Sequence, residues 1–185
     1  MYLINEDDSK SVSNWIIENL DWIKNQPDST PSGHKGVLHG LFDVNQPYME
    51  DKLNEVNFPY DSLLRIEKEL KDLYNLPENA AYGTLGWMFV YAEEGYTCKW
   101  HKDMCDCDKD DLTHVRLNVL LSKSEEGGDP LWRDDNGKQW TQEVQLNEPW
   151  ISLSGKYEHS TTTTKGKTPR ILLSLGYNVP TKLVE

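Results

Sequence analysis

Near Gly86 the apolar residues of this chain change their spacing from that of a helix to that of a sheet. Upstream, SVSNWIIENLDWIKNQ sets Val12, Trp15, Ile16, Leu20 and Ile23 at helical spacing, with Ser13 available as a cap. Pro27 and the Ser/Thr/Pro/Gly stretch after it end that helix. YDSLLRIEKELKDLYNLPEN repeats the pattern: Asp61 is a candidate cap, and Leu63, Leu64, Ile66, Leu70, Leu73 and Tyr74 make the stripe. Pro77 closes it. Downstream, eight segments read as strands: GWMFVYA, YTCKWHKD, THVRLNVLLS, DPLWRD, KQWTQEVQL, PWISLS, KYEHSTT and PRILLSLGYNV. EEG, EEGGDP, DDNG, NEP, SG and KGKTP separate them, and Asn136-Gly137 signals a hairpin. Two helices followed by eight strands predict a mainly β fold, an antiparallel sandwich or barrel with helices on one sheet. No repeat or linker divides the chain. One domain over 1–185 is expected, with 1–80 mostly helical support and 81–180 the β core.

Composition narrows the function classes. The 185 residues suffice for one domain with a core, and 37% hydrophobic and 27% charged residues are ordinary for a globular chain. A net charge of −12 argues against binding duplex nucleic acid or an anionic membrane through a broad basic surface. No apolar run is long enough to cross a bilayer, and MYLINEDDSK does not read as a secretory signal. Cys98, Cys105 and Cys107 are an odd, clustered set, a poor disulfide framework that fits a reducing compartment; a cytoplasmic location is expected.

Strand alternation sorts the side chains by face. In YTCKWHKD, Thr97, Lys99, His101 and Asp103 share a face, and Cys98 lies on the other. In THVRLNVLLS, Val115, Leu117, Val119 and Leu121 form an apolar face that suits the helices. The opposite face carries His114, Arg116, Asn118 and Leu120. In the last strand Ile171, Leu173, Leu175 and Tyr177 oppose Arg170, Leu172 and Ser174. A barrel closed over His101, Asp103, Arg116, Asn118 and Arg170 has a polar interior, which points to a ligand cavity.

His101-x-Asp103 with a distant His159 is the sequence form of a facial metal site, two histidines and one carboxylate with the opposite face open. Arg170 follows His159 by eleven positions. The order HxD, H, R on an eight-strand pattern resembles the iron(II)/2-oxoglutarate-dependent dioxygenases, and the resemblance covers roughly Gly86 to Val179. It implies a double-stranded β-helix (jelly roll, cupin-like) and Fe(II) held by His101, Asp103 and His159. It also implies Arg170 on the distal carboxylate of 2-oxoglutarate, where a planar guanidinium matches two oxygens. The implied activity is hydroxylation of an amino-acid side chain, free or in a peptide or protein, with succinate and CO2 as co-products and ascorbate as a supporting reductant. RLNVLL resembles the aspartyl/asparaginyl hydroxylase-like branch, where residues placed like Arg116 and Asn118 contact the cosubstrate. The chain departs from some members of that branch in keeping its carboxylate, Asp103, which favours hydroxylation over halogenation. Its CDCDKDD insertion has no counterpart there.

Other readings of the same residues stay open. Cys105 and Cys107 with His101 suggest part of a zinc site but lack a fourth ligand at matching spacing. Asp106, Asp108 and Asp110 suggest a calcium loop but lack its central glycine and terminal glutamate. Trp87, Phe89, Tyr91, Trp132 and Trp140 fit a substrate mouth or the core equally well. A non-catalytic cupin-like metal- or ligand-binding protein is the alternative function.

Overall fold

The computed structural model describes residues 2–25, 37–42, 53–103 and 111–183. Helix α1, Glu6–Glu18, begins on Asn5, whose side chain accepts from the backbone N–H of Asp7 and Asp8. Glu6, Asp7 and Asp8 add negative charge where the helix dipole favours it. The start lies before the expected Ser13 cap because Asn5 already satisfies the free donors; Ser13 is interior and donates to the Lys10 carbonyl. Asn19 breaks the predicted single helix, and α2 covers Leu20–Lys24. Helix α3, Tyr60–Leu73, starts on Pro59 with no side-chain cap, so Asp61 is not the cap. Its buried face is Ser62, Leu63, Ile66, Glu67 and Leu70, while Leu64 and Leu73 of the expected stripe are exposed.

The described residues hold eight strands, the first of them before α3: β1 Val37–Phe42, β2 Tyr82–Ala92, β3 Leu112–Ser122, β4 Pro130–Arg133, β5 Gln139–Thr141, β6 Pro149–Ser152, β7 Glu158–Thr161 and β8 Arg170–Pro180. They form a five-stranded sheet, β1-β2-β8-β3-β6, and a three-stranded sheet, β5-β4-β7, with antiparallel pairs throughout. This is the antiparallel two-sheet arrangement the strand pattern predicts and the double-stranded β-helix the family resemblance implies. The strand count matches, but its membership differs: β1 was not expected, and YTCKWHKD makes only an isolated bridge to β7. The Asn136-Gly137 signal holds. β4 and β5 are joined over Asp134–Lys138, with Gly137 at φ +80° and the Asp134 carboxylate accepting from the N–H of Asn136 and Lys138.

The alternation of β3 and β8 holds as well. Val115, Leu117, Val119 and Leu121 pack with Ile171, Leu173, Leu175 and Tyr177 against Val12, Trp15, Ile16, Leu63 and Ile66 of the helices. His114, Arg116, Asn118, Arg170 and Ser174 are turned the other way and are also buried. The fold therefore turns one apolar face to the helices, and on the opposite face these polar residues lie beside a smaller apolar cluster of Leu120, Val144, Trp150 and Leu172. Trp87 and Phe89 belong to the helix-side core and Tyr91 packs at its edge, which removes them from any substrate mouth. Among the described residues no helix is long and apolar enough to cross a membrane.

Candidate metal centre

β7 carries His159, and the chain at His101 runs antiparallel beside it. His101 N–H donates to the His159 carbonyl at 3.1 Å, and His159 N–H donates back at 2.8 Å. This exchange puts the two imidazoles on one side, 4.1 Å apart. Two residues on, Asp103 N–H donates to the Ser154 carbonyl at 3.0 Å, which anchors the backbone beneath the carboxylate. Nε2 of His101 and Nε2 of His159 each lie 3.7 Å from Asp103 Oδ1. The three ligand atoms fall within 4.8 Å of one another. Two imidazoles and one carboxylate converging from one side fit Fe(II) with open positions opposite.

The two histidines differ in charge state. Burial pushes His159 down to about 4, so it is a neutral imidazole with a lone pair for a metal. His101 moves the other way, up to about 9, through Cys98 and the Lys99 carbonyl at Nδ1 and through Asp103. Nδ1 contacts the Lys99 carbonyl at 2.8 Å, a partner that orients the ring and turns Nε2 to the site. Burial opposes the charged form of Asp103, but Arg116 and His159 overcome it and hold the carboxyl well below its usual range.

The two oxygens of Asp103 have separate partners. Oδ1 faces the histidines. Oδ2 accepts from Arg116 Nε at 2.5 Å and lies 3.9 Å from His114 Nε2. Arg116, read from sequence as a cosubstrate contact, is here the partner of a candidate ligand. Asn118 donates to the Arg116 carbonyl and to Ser152 Oγ at 3.0 Å, so its amide ties β3 to β6.

Arg170 is buried at the start of β8, and its Nε donates to the Gly128 carbonyl at 2.7 Å. Gly128 has φ +75°, and a Cβ there would stand 2.6 Å from Arg170 Cδ, so only glycine lets the loop close on this side chain. Burial pushes the guanidinium down to about 10, while Tyr96, Cys98 and Asp129 act to raise it; it stays charged at neutral pH. Tyr96, a buried phenol beside this charge, was missed in the sequence because alternation through YTCKWHKD sets it with Cys98, opposite His101.

Cys98 departs from expectation. The segment Glu93–Asp103 is not a regular strand, so period two fails and Cys98 Sγ lies 3.6 Å from His101 Nδ1 instead of on the far face. It stands behind the ring, away from Nε2, and is not in the ligand cluster. Cys105, Cys107 and the aspartates at 106, 108 and 110 lie outside the described residues. Trp132 is buried with its ring 5.6 Å from that of His159, and its cross-strand partner Trp140 is exposed against Tyr157.

No family model and no curated protein sequence matches the chain. Solved structures do. A prolyl hydroxylase from Trichoplax adhaerens, in complex with a hypoxia inducible factor oxygen degradation domain peptide fragment, matches 98% of this chain and 82% of its own, at TM-score 0.62 and 11% identity. AviO1 from Streptomyces viridochromogenes matches 96% and 87%, at TM-score 0.62 and 13% identity. A Pseudomonas putida prolyl-4-hydroxylase matches 95% and 88%, at TM-score 0.53 and 16% identity. At these identities the likeness is one of fold, the fold in which the sequence resemblance had set the chain.

Proposed function

We propose that the chain is an Fe(II)/2-oxoglutarate-dependent dioxygenase that hydroxylates an amino-acid side chain, with succinate and CO2 as co-products. One observation carries this reading: His101, Asp103 and His159 meet in a barrel whose interior also holds a buried, charged arginine, Arg170. A cupin-like binder has no need of that arginine. The fold shared with two prolyl hydroxylases supports the same class.

His101, Asp103 and His159 would hold Fe(II), which with 2-oxoglutarate supplies the oxidising chemistry when bound. The chain's own contribution is position and dryness. Arg170 would grip the distal carboxylate of 2-oxoglutarate through its planar fork, its Nε being held by the Gly128 carbonyl. Tyr96 is kept protonated by burial, so its hydroxyl is a donor beside the same charge. Asp103 would offer Oδ1 to the metal, since Arg116 occupies Oδ2. Asn118 and Ser152 brace β3 under that pair. Trp132 lies beside His159, and the contacting rings of Trp140 and Tyr157 would offer substrate an aromatic surface. The peptide bound by the Trichoplax enzyme makes a peptide or protein the first substrate class to test, with a prolyl side chain as the first target.

The test is succinate release from 2-oxoglutarate with Fe(II) and ascorbate, with and without prolyl peptides. Release by the wild type and not by His159→Ala supports the proposal. Protein that binds metal through these residues yet forms no succinate is a cupin-like binder instead.

A further inference from the structure

The face of the small sheet that carries the metal ligands continues past them. Trp132 on β4 pairs with His159 on β7 and, on its other side, with Trp140 on β5, while His159 pairs with His101. Directly paired residues share a face of a sheet, so Trp140, Trp132, His159 and His101 form one row. The Trp132 ring is buried 5.6 Å from that of His159, and its Nε1 donates to Gln142 Oε1 at 3.3 Å, which fixes it. The next residues turn to the other face: Arg133 bonds the Glu158 carboxylate at 2.7 Å and stacks over Trp100 at 4.5 Å. At the outer end of the row Trp140 is 38% exposed and meets the Tyr157 ring edge-on at 5.5 Å. Tyr157 precedes His159 by two positions and falls on the same face.

The length of this row selects what can lie along it. Neighbouring strands are about 4.8 Å apart, so Trp140 stands two spacings, about 10 Å, from His159. A peptide in the polyproline II conformation rises about 3.1 Å per residue with three residues per turn, so residues three apart face the same side at about 9 Å. A peptide in the β conformation turns residues three apart to opposite sides and cannot present both to the row. Proline rings in polyproline II dock on exposed tryptophan and tyrosine, and the stiff chain loses little entropy on binding. The charge beside the outer rings is positive although the chain carries −12: exposed Lys156 lies 5.4 Å from the Tyr157 ring.

We propose that Trp140 and Tyr157 are specificity-determining residues: they hold a proline three positions from the target residue of an extended, acidic peptide, while the target side chain lies beside Trp132 at the metal. Acidic residues of that peptide are drawn to Lys156. The outer anchor sets the register, so it decides which residue of the peptide reaches the metal. This rests on the dioxygenase reading above and narrows its substrate.

The probes are fluorescein-labelled peptides of one length, with two prolines set two, three or four positions apart and glutamate elsewhere. Binding to the full chain loaded with Mn(II) and 2-oxoglutarate under nitrogen is read by fluorescence anisotropy, and melting confirms that each variant is folded. The three-apart peptide should bind the wild type about tenfold tighter than the other two, the loss expected when a buried aromatic anchor goes unfilled. A counterpart with lysine in place of glutamate should bind more weakly. Trp140→Ala should erase the advantage of the three-apart peptide, and Trp140→Phe, which keeps a ring, should retain it. Should Trp140→Ala not fold, Tyr157→Leu replaces it. Equal affinity for the three spacings, no binding of any of them, an undiminished advantage in Trp140→Ala (or its replacement), or a lysine peptide that binds as tightly overturns the proposal. Succinate release by the same wild-type preparation with Fe(II) separates the two readings. Where succinate forms, failure of the spacing rule leaves the dioxygenase standing; a wild type that neither binds Mn(II) nor releases succinate overturns both.

Discussion

Asp103→Ala should cost the protein stability even when no metal is present. The carboxylate is the partner of a buried guanidinium: Arg116 Nε lies 2.5 Å from Oδ2, with the side chains 5% and 16% exposed. Breaking a buried ion pair by removing one member costs roughly 3–5 kcal/mol, because the remaining charge stays desolvated. The partial exposure of Asp103 argues for the lower end, about 3 kcal/mol. For a chain of this size each kcal/mol moves the melting temperature by about 2–4 °C, so a drop of about 6–12 °C is expected. The assay is thermal unfolding with EDTA present, which removes any contribution from bound ions. The double variant Asp103→Ala, Arg116→Met should recover much of the loss, since it leaves no buried charge behind. His101→Ala should melt close to the wild type, because its side chain is 40% exposed. The pH dependence follows from the lowered carboxyl of Asp103. Its contribution is complete above the unfolded value of about 4 and is lost as pH falls through the folded value. The gap between wild type and Asp103→Ala should thus close only in acid. A metal-free Asp103→Ala protein that melts with the wild type at neutral pH would refute the reasoning.

Four further outcomes are expected. Arg170→Ala should weaken 2-oxoglutarate binding to the Mn(II)-loaded protein by about two to three decades, read by calorimetry under nitrogen, with Mn(II) affinity unchanged; Arg170→Lys should be milder. Gly128→Ala, which sets a Cβ 2.6 Å from Arg170 Cδ at a backbone φ of +75°, should lower the same affinity and spare the metal. Glu67 is buried between α3 and the sheet and accepts from Tyr82 and Tyr177 at 2.6 and 2.5 Å; Glu67→Ala should cost about 3 kcal/mol by denaturant unfolding, two charge-assisted hydrogen bonds being lost. Mn(II) at a hundredfold excess over its dissociation constant should add about 2.7 kcal/mol to wild-type stability and nothing to His159→Ala.

Regular strands made their side-chain directions legible in the sequence; irregular chain did not. β3 and β8 are long and paired in unbroken register from Leu112 to Leu120, so alternation sorted Val115 and Leu117 from Arg116 and Asn118, and Ile171 from Arg170, without error. The helices were legible as stripes but not at their starts. Asn5 lies upstream of the apolar pattern, and the chain uses its side chain as the cap. β1 was hidden because VLHGLF lacks a clear alternation and sits among turn residues. His101 and Asp103 are neighbours of His159 as the motif implies, but through one bridge and not through a strand. That is why Cys98 fell on the wrong face and Tyr96 went unnoticed. The pairing of Arg116 with Asp103 was out of reach for a different reason. It joins residues thirteen apart across a segment with no periodicity, and only the closed barrel brings them together. The same holds for His114, whose neighbours Gly83 and Asn178 come from two other strands.

The central claim is that one ion and one cosubstrate meet between the two sheets. A crystal structure of the full chain soaked with Mn(II) and 2-oxoglutarate tests it most directly, with the ion located by its anomalous signal. The account predicts a single strong peak bonded to Nε2 of His101, Oδ1 of Asp103 and Nε2 of His159. It predicts chelation of that ion by 2-oxoglutarate and a distal carboxylate paired with Arg170. A peak elsewhere, at Cys105 and Cys107 for instance, or a distal carboxylate held by Arg116 with Asp103 released, would contradict it.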